Sequence, residues 1–165
     1  MTDAGAANAA AQATDASASD SDSHAFDPLA LDNQLCFPLY AVSKEVVRRY
    51  KPLLDPLGLT YTQYICMMVL WEERSATVGH LGQRLRLDSG TLTPLLKKLE
   101  AKGYVTRRRT ADDGREVVVG LTDEGAALRE RALGVPAAMA CNLALTRDEA
   151  IELRRLLAKA LKQNP

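Results

Sequence analysis

The chain has 165 residues, with 21 Lys or Arg balanced by 21 Asp or Glu, so overall charge excludes no class of partner. That length suits one compact domain with a real hydrophobic core. Three widely spaced cysteines, at 36, 66 and 141, fit reduced thiols in a cytoplasm better than a disulfide framework. No uninterrupted apolar stretch approaches a membrane span, so no membrane partner is expected.

The neutral total hides an uneven distribution. Residues 1–43 hold no Lys or Arg, while Asp occurs at 3, 15, 20, 22, 27 and 32. The first 25 residues are mostly Ala, Ser, Asp, Thr and Gln, without the basic start and apolar run of a signal peptide. They carry too little apolar surface to offset their ordering entropy, so residues 1–28 are expected to be a disordered tail. One domain is expected over residues 29–162.

Leu31 to Leu54 has roughly helical apolar spacing, and Pro52, Pro56 and Gly58 break or end it. Thr60 can cap a second helix, with Tyr64, Ile65, Met68, Val69 and Trp71 largely buried. Thr77 can cap a short third helix with Val78, Leu81 and Leu85 inward. In "LDSGTLTPLLKKLEAKG", Leu92, Leu95, Leu96 and Leu99 share one face of a helix that starts near Asp88 or Ser89 and ends at Gly103. Pro94 is a mild irregularity in it. Val105 and Val117–Leu121 read as two short strands, joined by the turn residues "ADDGR". Helix returns over Thr122–Leu133, stops at Gly134 and Pro136, and resumes. Thr146 and Glu149 have capping-box spacing for a last helix reaching about Leu161.

A short helix, a tight turn and a second helix fronted by small polar residues is a helix-turn-helix, and the hairpin behind it is a wing. The expected fold is therefore mainly α, a winged helix-turn-helix with a two-stranded wing. The DNA-reading part covers about residues 74–121. Ser89, Thr91 and Thr93 are short enough to admit DNA closely and can bond phosphates or base edges. Lys97 extends the basic surface, as do Arg107 and Arg108. An isolated basic run is more often a solvated face; next to a helix-turn-helix and a hairpin, it points to double-stranded DNA. Helices over about 31–56 and 122–162 flank this unit with broad apolar faces and are expected to form a homodimer interface.

"LDSGTLTPLLKKLEAKGYVTRRRTADDGREVVVGLTDEG" resembles the winged helix-turn-helix of the multiple antibiotic resistance regulator (MarR) family. Its wing signature is matched by Asp113-Gly114-Arg115, which implies Arg115 in the minor groove with Asp113 holding it. "LDNQLCFPLYA" and "YKPLLDPLGLTYTQY" resemble the organic hydroperoxide resistance regulators within that family. The resemblance covers about residues 31–162. It implies a repressor that leaves a pseudo-palindromic operator when Cys36 is oxidised by an organic hydroperoxide. It also implies Tyr50 and Tyr61 as hydrogen-bond donors to Cys36 across a dimer interface, with Tyr40 as a further wall. Phe37, with Leu35 and Leu39, suits an apolar peroxide.

Taken alone, Cys36 would more often be packing, and Tyr61 could simply anchor the second helix. Cys66 reads as core. Cys141 is either a small packing residue or, as the two-cysteine members imply, the thiol that resolves Cys36 in an intersubunit disulfide. The Cys and His residues show no metal-site spacing, and no cofactor is expected. Two rivals stay open: a thiol peroxidase, and a sister regulator released by a phenolic or other small aromatic ligand with Cys36 inert. An enzyme is the less favoured, since no C-x-x-C motif is present.

Overall fold

The structure, a computed structural model, describes residues 27–109 and 116–162, in two compact units that divide between Pro38 and Leu39. In the first unit, Asp27 organises a short turn. Its carboxylate accepts from the Leu29 N–H at 2.8 Å and its carbonyl from the Asn33 side-chain amide at 2.8 Å. Leu31–Asn33 forms a 3-10 turn, and α1 (Cys36–Leu54) begins only at Cys36. The helix expected from Leu31 thus starts later. Pro38 fits this start: it stands in the first turn, where its missing N–H has no intrahelical partner.

Pro52 does not end α1. It costs the helix one ladder bond, from its own missing N–H to the Arg48 carbonyl, and the chain turns only at Asp55–Leu57 and at Gly58, whose φ is +66°. α2 (Tyr61–Glu73) opens on a complete capping box between Thr60 and Gln63. Almost every position in α2 is apolar, so periodicity poorly decides its inner face. Tyr64 and Val69 are buried as expected. Met68 is 46% exposed, and Cys66, Met67 and Leu70 are sealed instead.

β1 (Ser75–Thr77) was not expected. It pairs antiparallel with β3 (Val117–Leu121), Ala76 opposite Val119, and β3 pairs with β2 (Val105–Arg109). The wing is therefore the outer part of a three-stranded sheet of order β1-β3-β2. Three residues, Ser-Ala-Thr, carry no strand pattern of their own; only the partner strand makes them one.

α3 (Val78–Leu85) is capped by Thr77, and α4 (Ser89–Ala101) by Asp88. Between them Arg86 takes a left-handed conformation, φ +53°. α3 can approach the turn and α4 because residue 82 is glycine: a Cβ there would stand 3.0 Å from the Leu87 carbonyl and 3.4 Å from Leu92. Leu92, Leu95, Leu96 and Leu99 all face inward, as their spacing predicts, and Pro94 is accommodated within α4. Leu54, Met67, Leu70, Leu81, Leu96 and Val119 are fully buried, so the core lies beneath α2, α3, α4 and the sheet.

Thr122 caps α5 (Asp123–Ala132), accepting from the Gly125 N–H at 3.0 Å. Pro136 starts a helix rather than stopping one: it occupies the first turn of α6 (Val135–Cys141), where proline is tolerated. α7 (Arg147–Lys162) begins on the expected Thr146–Glu149 capping box, yet none of its residues is buried. Ile151, Leu153, Leu156, Leu157 and Leu161 are all exposed, and α1 likewise exposes Leu39, Val42 and Val47.

Candidate nucleic-acid interface and redox thiols

The outward face of α4 is built from its cap. Asp88 accepts from the Thr91 N–H at 2.8 Å with one carboxylate oxygen and from the Thr91 hydroxyl at 3.0 Å with the other. These bonds lower the Asp88 carboxyl below its ordinary value. Gly90 leaves room for this carboxylate, since a Cβ there would meet it at 2.9 Å. One turn on, the Thr93 hydroxyl donates to the Ser89 carbonyl at 2.8 Å. Ser89, Thr91, Thr93, Lys97 and Lys98 are all exposed, opposite the leucines that bury the other face.

Charge on this surface is not uniform. Among the described residues, Lys97, Lys98, Arg108 and Arg109 have no acidic partner. Arg107 has one. Its side chain donates to Glu100 at 2.6 and 2.9 Å, and its backbone N–H at 3.1 Å. The Glu100 carboxyl is consequently held below its ordinary value, chiefly by the side-chain bond to Arg107. Alternation along β2 turns Arg107 to the α4 side and Arg108 away from it. Arg107, expected to touch DNA, is thus engaged within the protein. Glu100 had one signal in sequence: it is the lone acid among the basic residues of 97–109. Asp113 and Arg115, the expected wing-tip pair, lie outside the described residues.

The thiols differ sharply. Cys66 is fully buried in α2, and burial pushes its thiol up to about 12, leaving it protonated and inert. Cys36 and Cys141 are both exposed. In the first unit, Cys36 is the opening residue of α1, at the helix end whose free N–H groups favour negative charge, and Phe37 beside it is 42% exposed.

The second unit holds the tyrosines. Tyr50 and Tyr61 pack with ring centroids 4.9 Å apart and planes tilted by 45°, and the Tyr50 and Tyr64 ring centroids are 5.9 Å apart. Burial raises the Tyr50 and Tyr64 phenols, so both keep their protons at neutral pH. Tyr40 is exposed, its hydroxyl accepting from Lys44 at 3.2 Å. Cys141 ends α6 beside a cleft of about 710 Å³, lined by Leu143, Leu145, Ile151 and Arg154 among others. Arg49 of α1 ties down the neighbouring Asn142 carbonyl.

The sequence pattern of the transcriptional regulator SarA/Rot family matches residues 48–131. The chain is 47% identical, over 79% of its length and 87% of the relative's, to the organic hydroperoxide resistance transcriptional regulator of Bacillus subtilis (strain 168). It is also similar to reduced AbfR bound to DNA, at 39% identity and TM-score 0.67, covering 80% of this chain and 92% of that one. The disulfide-formed AbfR matches at 40% identity and TM-score 0.58, covering 80% and 90%. A core arranged around a helix-turn-helix and a wing, with these likenesses over most of the chain, makes it a SarA/Rot-type transcriptional regulator of the MarR family.

Proposed function

We propose that the chain is a homodimeric repressor that binds a pseudo-palindromic operator and releases it when an organic hydroperoxide oxidises Cys36. The observation that carries this reading is the contrast between an exposed thiol opening α1 and a sealed Cys66, in a relative of a regulator named for organic hydroperoxide resistance. The Cys36 thiolate attacks one peroxide oxygen, the O–O bond breaks, and the alkoxide leaves with a proton as an alcohol. The product is a sulfenic acid. Cys141 of the partner subunit then attacks that sulfur and water leaves, forming an intersubunit disulfide. The exposure of Cys141 and the existence of a disulfide form of AbfR support this second step.

The unpartnered apolar faces of α1 and α7 support the dimer, because their burial against a second copy removes them from water. In such a dimer Tyr50, Tyr61 and Tyr40 would wall the pocket around Cys36, together with Phe37. Two α4 helices would enter successive major grooves about 34 Å apart, and Arg115, positioned by Asp113, would reach the minor groove beside each. Gel shifts with the protein's own upstream DNA test the reading: binding when reduced, release after cumene hydroperoxide, recovery with a thiol reductant. Cys36→Ser, nearly isosteric but unable to form a sulfenic acid, should bind DNA and ignore the peroxide. Release of Cys36→Ser by cumene hydroperoxide would refute it.

A further inference from the structure

The hydroxyl protons of Thr91 and Thr93, on the outward face of α4, are already committed. Thr91 donates to an oxygen of Asp88 at 3.0 Å, and Thr93 donates to the Ser89 carbonyl at 2.8 Å. Neither direction is ambiguous, because an ionised carboxylate and a carbonyl can only accept. The Asp88 carboxylate is also fixed by the Thr91 N–H and by the space that Gly90 leaves for it. What each hydroxyl has left to offer is lone pairs. Ser89, by contrast, has no partner for its hydroxyl among the described residues and keeps its proton.

From this we infer that Thr91 and Thr93 read the major groove as hydrogen-bond acceptors, selecting the exocyclic amines of adenine or cytosine. The inference rests on α4 being the DNA-reading helix. Phosphate oxygens, guanine O6 and N7 and thymine O4 are all acceptors, so a threonine whose proton is held elsewhere meets them lone pair to lone pair. Adenine N6 and cytosine N4 are the donors that the groove presents. On the helix, Thr91 and Thr93 flank the stripe of Gly90, Pro94 and Lys97. Gly90 and Pro94 offer no side-chain donor and little bulk, so the flanking hydroxyls come close to base edges. Contact to the backbone then falls to Ser89, Lys97 and Lys98, and sequence reading to the two threonines.

The test is selection of binding sites from a randomised duplex library by the full-length reduced protein and by Thr91→Val, Thr91→Ser, Thr93→Val and Thr93→Ser. Wild type should select adenine or cytosine at one position per threonine in each half-site. Each valine variant should lose preference at one position and keep the rest of the site. Each serine variant, which retains the hydroxyl, should keep the preference. In the selected site, replacing the implicated adenine by purine, or cytosine by 2-pyrimidinone, removes the amine alone. That should weaken wild type about 3- to 10-fold, the range expected for one hydrogen bond, and leave the matching valine variant unchanged. Valine variants that select the same site as wild type would overturn the inference while leaving α4 as the reading helix. Selection of guanine or thymine at those positions would do the same. A wild-type protein that selects no sequence would remove the DNA-reading role itself, and this inference with it.

Discussion

Glu100, in the last turn of α4, grips Arg107 of β2 at both ends. One carboxylate oxygen accepts from the guanidinium at 2.6 and 2.9 Å, and the other from the Arg107 backbone N–H at 3.1 Å. A single side chain thereby sets α4 against the strand that leads into the wing. Among the described residues, Lys97, Lys98, Arg108 and Arg109 around it have no acidic partner, so the pair has a structural duty that a count of charges conceals.

That carboxyl lies below its ordinary value of 4.5 in the folded protein, because of Arg107. A group depressed in this way contributes stability that is fully present above the ordinary value and lost as pH falls through the folded one. Hydrogen exchange at the Arg107 amide, corrected for its intrinsic rate, should therefore accelerate as the pH is taken progressively below 4.5. Glu100→Gln, which cannot ionise, should show a flat corrected profile over the same range. Identical profiles in the two proteins would break the link.

Among the described residues, Lys97, Lys98, Arg108 and Arg109 lack acidic partners, so on the proposed DNA-reading surface each would displace a counterion. Plotting log affinity against log salt, Lys97→Ala and Arg108→Ala should each reduce the slope by roughly 0.9. Combined, they should reduce it by about twice that. A slope untouched by either substitution would move the phosphate contacts elsewhere.

Cys66 should resist alkylation. Burial holds its thiol near 12, whereas Cys36 and Cys141 are exposed. Iodoacetamide at pH 8 should label Cys36 and Cys141 in the reduced native protein, and Cys66 only after denaturant is added, as read by peptide mass. Labelling of native Cys66 at a comparable rate would contradict its place in the core.

Gly125 has no room for a side chain. A Cβ there would lie 2.1 Å from the Tyr104 carbonyl oxygen, and its own carbonyl accepts the Trp71 indole N–H at 2.8 Å. Gly125→Ala must push α5 away from the loop before β2 and disturb that bond to α2. The expected cost is about 3 kcal/mol, at the upper end for overpacking, measured by urea unfolding. A loss below half of that would mean that the loop yields easily.

Leu157 lies near the centre of the exposed apolar face of α7. Leu157→Asp should shift the protein from dimer toward monomer in analytical ultracentrifugation, with helical content preserved. An unchanged dimer would place the interface off α7.

Much of this molecule follows from local pattern. The four leucines of α4 face inward because residues at 92, 95, 96 and 99 share one side of any α-helix. Thr60, Thr77, Thr122 and Thr146 cap helices because a short hydroxyl on an extended residue satisfies free N–H groups of the turn that follows. Tertiary structure decided the remainder. Ser75–Thr77 is a strand only because β3 offers it a ladder, and Met68 rather than Met67 is exposed because an all-apolar helix takes its inner face from its neighbours. The same holds at the surface proposed to read DNA. Composition marks Arg107 and Arg108 as equivalent cations, yet the pleat of β2 turns one toward Glu100 and the other away from it. A sequence states which groups a chain owns; only packing decides which of them are already spoken for.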